Sequence, residues 1–350
     1  MVLDRRGRED RQDREHGRRF ELTLPGRVVF GRGVVQRLGE EARRLGGDNA
    51  LVVTTRGMLE RGILAWVRAS LRGLGVDDTV FPLAGPEPSL ETVGEITAVA
   101  RDRECNLLVG LGGGRVLDVA KKAAAMLGVR KIMAPTTAGS GSEATDQSAL
   151  LVAGELKIFT GADLMADVAL VDPDLLATVP PRLMAAAGMD ALAHAIEGYQ
   201  SRRSNSLVRG HAWRAFRLVS ENLEAAAAGD EAAGTSLALA SLLAGVVVAN
   251  AGTCLGHALS YPLTRLGVPH GQAVATMLPY ALEFNGFDAE VAAEVHRLVS
   301  GLHIACTIGG DARQLAVEVM RNSRDLENNP RRVTLEDVVA LYQRARREMT

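Results

Sequence analysis

The chain has 350 residues, 47% of them hydrophobic, and sets 40 Lys and Arg against 42 Asp and Glu for a net charge of -2. That length can bury a sizeable core, and the balanced charge excludes the strongly basic surface expected of a nucleic-acid or anionic-membrane binder. Three dispersed cysteines, Cys105, Cys254 and Cys306, form no CxxC pair, which excludes a disulfide framework and a thiolate zinc site and points to a reducing, cytoplasmic compartment.

Residues 1–19, MVLDRRGREDRQDREHGRR, interleave Arg with Asp and Glu and lack an apolar stretch. They are expected to be a disordered leader, neither signal peptide nor anchor. From 20 to 179 the short β-rich runs RVVF, ALVVTT, DTVFPL, NLLVGLGGG, KIMAPTT, ALLV and VALVD alternate with helical patterns. This rhythm predicts an α/β domain built of βαβ units around a mostly parallel sheet. Pro180-Pro181 marks a boundary, and 180–350 reads as an all-α C-terminal domain. Within it the run SLALASLLAGVVVAN, residues 236–250, falls short of the ~20 apolar residues of a bilayer span. It is expected to be a buried core helix, with no membrane partner.

The stretch LLVGLGGGRVLDVAKKAAAM is a strand that ends in Gly110, Gly112, Gly113 and Gly114 and passes directly into a helix carrying Asp118. Adjacent glycines let backbone approach a pyrophosphate, and the free N–H groups of the helix start attract it. The spacing is not GxGxxG, and a plain tight βα turn fits the same residues. Lys121 and Lys122 read as solvated helix-face residues. The loop APTTAGSGSEATD, residues 134–146, is too small and polar to pack a core, so it lies at the surface or wraps a polar ligand. Its hydroxyls favour the ligand.

In MDALAHAIEGYQS, Asp190 and His194 stand four residues apart and share one helix face. A local acid paired with a core histidine accounts for them equally well until GHALSYPLTRLGVPHG adds His257 and His270, each beside a glycine in apolar surroundings where an unpaired imidazole is costly. One carboxylate and three imidazoles suit Fe(II) or Zn(II) better than Mg or Ca. His16, His211 and His296 sit in polar patterns and read as surface residues.

Taken together, GGG with Asp118, PTTAGSGSE, DALAHAIE and HALSYPL with PHG resemble the iron-containing alcohol dehydrogenase family, in family order and from about Phe20 to Pro330. The resemblance implies a dehydroquinate synthase-like fold with an N-terminal dinucleotide-binding domain, a C-terminal helical domain and an active site between them. It implies metal ligands at Asp190, His194, His257 and His270, pyrophosphate contacts at Gly112, Gly113 and Gly114 with Asp118 nearby, and Thr136, Thr137 and Ser142 at the nicotinamide end. The reaction implied is hydride transfer between the nicotinamide and a small aldehyde or alcohol.

This sequence departs from the family pattern in four places. Arg115 stands where the family has Ser, and Tyr261 stands where a histidine relays protons beside the metal ligand His257. The interval from His257 to His270 is one residue short, which makes His270 the least secure ligand, and the helical domain after Asn285 is shortened. Thr55-Arg56 after the second strand lacks the acid of NAD-preferring members, so NADP(H) is favoured over NAD(H). HALSYP and GSEAT are similar to the phosphonoacetaldehyde reductase branch, with Arg265 as a contact for an anionic head group. A homodimer joined near Leu22–Phe30 is implied as well. The competing readings are a zinc- and NAD-dependent polyol dehydrogenase, a dehydroquinate synthase-like lyase, and a nucleotide-binding protein without catalysis.

Overall fold

The structure, a computed structural model, describes residues 19–349 other than 61, 85–87 and 322; all of the expected leader but residue 19, His16 included, lies outside the described residues. Strand β1 spans Val28–Phe30, β2 Asn49–Thr55, β3 Asp77–Leu83, β4 Leu107–Gly112, β5 Arg130–Pro135, β6 Gln147–Val152, β7 Glu155–Thr160 and β8 Val168–Val171. Six of them form one sheet in the order β1-β8-β5-β4-β2-β3, and every pairing in it is parallel.

A strand buried on both faces reads as a continuous apolar run, and β2 shows why. Its Ala50 and Val52 enter one core with Leu38 and Ala42 of α1 (Leu38–Arg44) and with Val67 and Leu71 of α3 (Ile63–Gly73), the short α2 (Arg56–Glu60) lying between. Leu51 and Val53 enter the opposite core with Ile96 of α4 (Leu90–Asp102) and Leu117 of α5 (Gly114–Leu127). The α/β expectation therefore holds, with helices on both sides of a parallel sheet.

The strand order fixes where a ligand can sit. From β2 the chain steps outward to β3, then returns across β2 to β4 and continues to β5 and β8. Connections leaving β2 and β4 thus diverge, which opens a crevice at their carboxyl ends, the usual ligand position of such sheets. Thr55-Arg56 and Gly112 to Gly114 stand at that crevice.

ALLV departs from expectation, because it belongs to a separate antiparallel hairpin of β6 and β7. The partner β7, ELKIFT, has little buried surface and no clean alternation, so periodicity does not reveal it. Ala153 at φ 51° and Gly154 at φ 80° make the two-residue turn, a left-handed pair matched to hairpin twist.

Pro181 opens α6 (Pro181–Gln200) with Pro180 as its cap, where a missing N–H costs nothing. Then follow α7 (Ser206–Ala227), α8 (Glu231–Ala251), α9 (Leu255–Arg265), α10 (His270–Phe284), α11 (Ala289–Gly301), α12 (Ala312–Arg321), α13 (Ser323–Asn328) and α14 (Leu335–Met349). Among the described residues only α8 is long and apolar enough to cross a membrane, and 67% of its apolar window is buried inside the protein. Ala169 and Val171 of β8 share one core with α6, α7 and α8, so the two halves of the chain pack on each other.

Candidate metal centre and nucleotide crevice

Helix spacing places Asp190, His194 and Glu197 of α6 on one face, four and three residues apart. His257 arrives from the first turn of α9, and His270 is the first residue of α10. Oδ1 of Asp190 lies 3.7 Å from Nε2 of His194, 3.5 Å from Nε2 of His257 and 3.5 Å from Nε2 of His270. Ligand atoms on a tetrahedral ion with bonds of ~2.1 Å stand about 3.4 Å apart, so the spacing fits one small divalent cation. Asp190, His194 and His257 are buried and offer ligand atoms all within 4.8 Å of one another. His270 completes the group from the rim, its side chain 40% exposed. The one-residue-shorter interval therefore still delivers it.

Asp190 Oδ1 and His257 Nε2 are buried without a hydrogen-bond partner. Such atoms are expensive unless something else takes their lone pairs, and a cation does. Electrostatics agree in direction. Burial pushes the His194 imidazole down to about 4, which leaves it neutral and able to ligate. Burial also opposes charge on His257, but Glu197 and Asp190 outweigh it and raise that imidazole to about 10. Burial works against the Asp190 carboxylate too, yet the surrounding imidazoles hold it well below the usual carboxylate range.

Glu197 escapes the sequence reading, although its spacing from Asp190 and His194 is the signal that would have found it. Its fully buried carboxylate accepts the backbone N–H of Gly256 at 2.5 Å and of His257 at 3.3 Å, and takes the His257 Nδ1–H at 2.5 Å. Nδ1–H bound there leaves the Nε2 lone pair turned toward Asp190. Gly256 is required for this approach, since a Cβ would lie 2.9 Å from Glu197 Oε1.

At the crevice Gly113 caps α5 in extended conformation with no side chain bonded to the helix start, so the first N–H groups face outward. A Cβ on Gly114 would meet Ser140 Oγ at 2.5 Å, and one on Gly113 would meet Thr137 Oγ1 at 3.1 Å. The glycine loop and the hydroxyl loop thus form one wall. Thr136 is buried and its N–H bonds to Gly112 O at 3.0 Å; Thr137 is half-buried, while Arg115 and Arg56 are exposed and Thr55 lies half-buried between β2 and α2.

Two chain models decide the family. The model for iron-containing alcohol dehydrogenase matches residues 25–173, and that for the C-terminal region of the Fe-containing alcohol dehydrogenase family matches 184–308. This chain is an iron-containing alcohol dehydrogenase. Long-chain-alcohol dehydrogenase 1 of Geobacillus thermodenitrificans is 34% identical over 93% of this chain and 96% of that one. That alignment runs to 379 positions, longer than the 350 residues here, so the chain carries deletions relative to it. A crystal structure of a 1,3-propanediol oxidoreductase superposes at a TM-score of 0.90, with 27% identity over 94% of this chain and 100% of that one. Sulfoacetaldehyde reductase from Bifidobacterium kashiwanohense, solved with NAD+, superposes at 0.88 with 26% identity over 94% and 99%. The protein is accordingly an oxidoreductase acting on CH–OH groups, a metal-dependent alcohol dehydrogenase or aldehyde reductase.

Within this iron-containing alcohol dehydrogenase several residues lie elsewhere than expected. Lys121 is no solvated lysine: it is fully buried and donates to Ser142 O, to Thr145 O and Oγ1, and to Gln147 O. The loop 134–146 does pack, because its small residues allow backbone crossings that larger ones forbid. Gly141, at φ 58°, would place a Cβ 2.4 Å from Gly245 Cα of α8. Ser142 is buried there and donates to Asp118 Oδ1 at 2.5 Å, and Asp118 Oδ2 accepts the Ala149 N–H at 3.1 Å. These two residues thus tie α5 to the loop and to β6, with their polar atoms already engaged. Tyr261 stacks on His270 with ring centroids 6.1 Å apart, and burial followed by nearby carboxylates raises its phenol well above the ordinary value. Arg265 lies eight residues beyond His257, about 12 Å along the helix, and is exposed beside Glu318 at 3.6 Å. That removes it as a head-group contact. His211 and His296 are partly exposed, as expected.

Proposed function

We propose that this enzyme interconverts a small aldehyde and its alcohol, with Asp190, His194, His257 and His270 holding one Fe(II) or Zn(II) and NADP(H) lying in the crevice between β2 and β4. The observation that carries the reading is the meeting of partnerless buried ligand atoms, Asp190 Oδ1 and His257 Nε2, at 3.5 Å. When bound, the cation supplies Lewis-acid polarisation of a substrate oxygen and the dinucleotide supplies or accepts hydride.

The chain's own residues do the positioning. Glu197 sets the tautomer of His257 and anchors the start of α9. Apolar packing on α6 and α9 excludes water and strengthens every charge interaction among the four ligands. Tyr261, held protonated, is a hydrogen-bond donor next to His270 rather than a base. Gly112, Gly113, Gly114, Thr136 and Thr137 form the wall against which the pyrophosphate and nicotinamide lie. Arg56, exposed at the end of β2 with no acid beside it in sequence, supports NADP(H) through attraction to a 2′-phosphate.

Phosphonoacetaldehyde is the substrate suggested by the motif likeness, although Arg265 does not serve it. The test is NADPH and NADH oxidation by metal-loaded enzyme with phosphonoacetaldehyde, a C2–C4 aldehyde series and, in reverse, glycerol. Turnover of aldehydes that tracks iron or zinc content is expected; turnover unaffected by chelation and dialysis would refute the metal assignment. Buried, free Cys105, Cys254 and Cys306 support a reducing compartment. The outer edge of β1, next to exposed Leu24 and Val28, supports a homodimer formed there, which light scattering would detect as twice the chain mass.

A further inference from the structure

One cation in the cleft has no acid to neutralise it. Arg324 projects from α13 across to the α/β half, where Nη1 donates to Thr160 Oγ1 at the end of β7 at 3.2 Å. Among the described residues no carboxylate lies within ion-pair distance of it, whereas Arg265, Arg313 and Arg344 of the same half are paired with Glu318, Glu336 and Glu283. Its placement is firm. Thr253 Oγ1 donates to Asp325 Oδ1 at 2.9 Å, and Asn328 Nδ2 donates to Thr253 O at 3.1 Å, which fastens α13 to the residues that lead into α9 with His257 and Tyr261.

The guanidinium is felt at two groups of the cleft, the Tyr261 phenol stacked on His270 and the Asp146 carboxyl of the hydroxyl loop. Arg203 acts on Asp146 as well, from a position with Nη1 3.8 Å from where a Gly252 Cβ would be. Asp146 balances them poorly, since burial disfavours its charge and its Oδ1 has no hydrogen-bond partner. Two arginines facing one weakened acid, one helical turn from the metal cluster, leave surplus positive charge where the far end of a short substrate would lie.

We propose that Arg324, assisted by Arg203, receives an oxyanion at the end of the substrate opposite its carbonyl, so that the substrate class is a short aldehyde bearing a phosphonate, sulfonate or carboxylate. This rests on the aldehyde reductase reading and sharpens it. A guanidinium pairs with such groups through two parallel hydrogen bonds, and its charge persists at any working pH.

The experiment compares wild type, R324Q and R324K, all metal-loaded, on phosphonoacetaldehyde and on propanal, and measures calorimetric binding of the inert alcohol 2-hydroxyethylphosphonate. The expected preference for the phosphonate, at least about tenfold in kcat/KM, collapses toward unity in R324Q and is partly kept in R324K, and binding of the alcohol weakens roughly tenfold to hundredfold in R324Q. Equal losses on both aldehydes would overturn the proposal and leave Arg324 as a strap between the halves. Propanal turnover with no binding of the phosphonate would overturn it while sparing the reductase reading. Binding that depends on Arg324 without turnover of any aldehyde would support the receptor and sink the reductase reading.

Discussion

His257 and Glu197 are joined at 2.5 Å through Nδ1, and the same carboxylate takes the backbone N–H groups of Gly256 and His257. One acid thereby fixes a ring and the helix start that carries it. Replacing Glu197 with Ala should weaken iron or zinc binding by roughly tenfold to hundredfold, the usual scale for such an orienting partner. Glu197→Gln, which keeps an acceptor, should recover part of that. Competition titration with a chelating dye reads the affinity directly, and equal affinity in all three proteins would show that His257 needs no such support.

Asp190→Ala and His194→Ala should each reduce bound metal to a small fraction of one ion per chain and abolish turnover. Both residues lie on α6 amid close packing, so far-ultraviolet circular dichroism should remain close to wild type. His270→Ala should lose less metal, because that imidazole stands at the exposed rim. Elemental analysis of the purified variants ranks the three.

Arg56→Asp should move the cofactor preference toward NADH by tenfold or more, since a carboxylate at the end of β2 repels a 2′-phosphate and accepts hydrogen bonds from a free 2′-hydroxyl. The ratio of kcat/KM for NADPH to that for NADH is the measurement. An unchanged ratio would place the adenosine ribose elsewhere.

Glu143 is fully buried, and burial lifts its carboxyl from 4.5 to about 7. Between those values the folded protein retains a proton that the unfolded chain has released. Stability is therefore complete below pH 4.5 as far as this group is concerned, falls as pH rises through the window, and levels off above about 7. The loss is on the order of 3 kcal/mol at most. Urea denaturation at pH 5 and pH 7.5 measures it, and Glu143→Gln, which has no proton to lose, should flatten the difference.

The sequence by itself determined what depends on neighbours along the chain. A four-residue interval puts Asp190 and His194 on one helix face wherever that helix lies, apolar runs of strand length between helical patterns dictate a parallel sheet, and adjacent glycines before a helix make an anion cradle. Short-range periodicity carries that information because a helix or strand repeats identically in any surroundings. What only the tertiary structure decided is which distant segments meet: His257 and His270 arriving 3.5 Å from Asp190, Glu197 reaching a helix start 60 residues away, Lys121 enclosed by the loop it was expected to ignore, and Arg324 crossing to Thr160. Those distances follow from how whole helices pack, and no local spacing encodes packing between segments so far apart. For the same reason β7 stayed hidden, because an exposed strand is defined by its partner's hydrogen bonds and leaves no apolar pattern of its own.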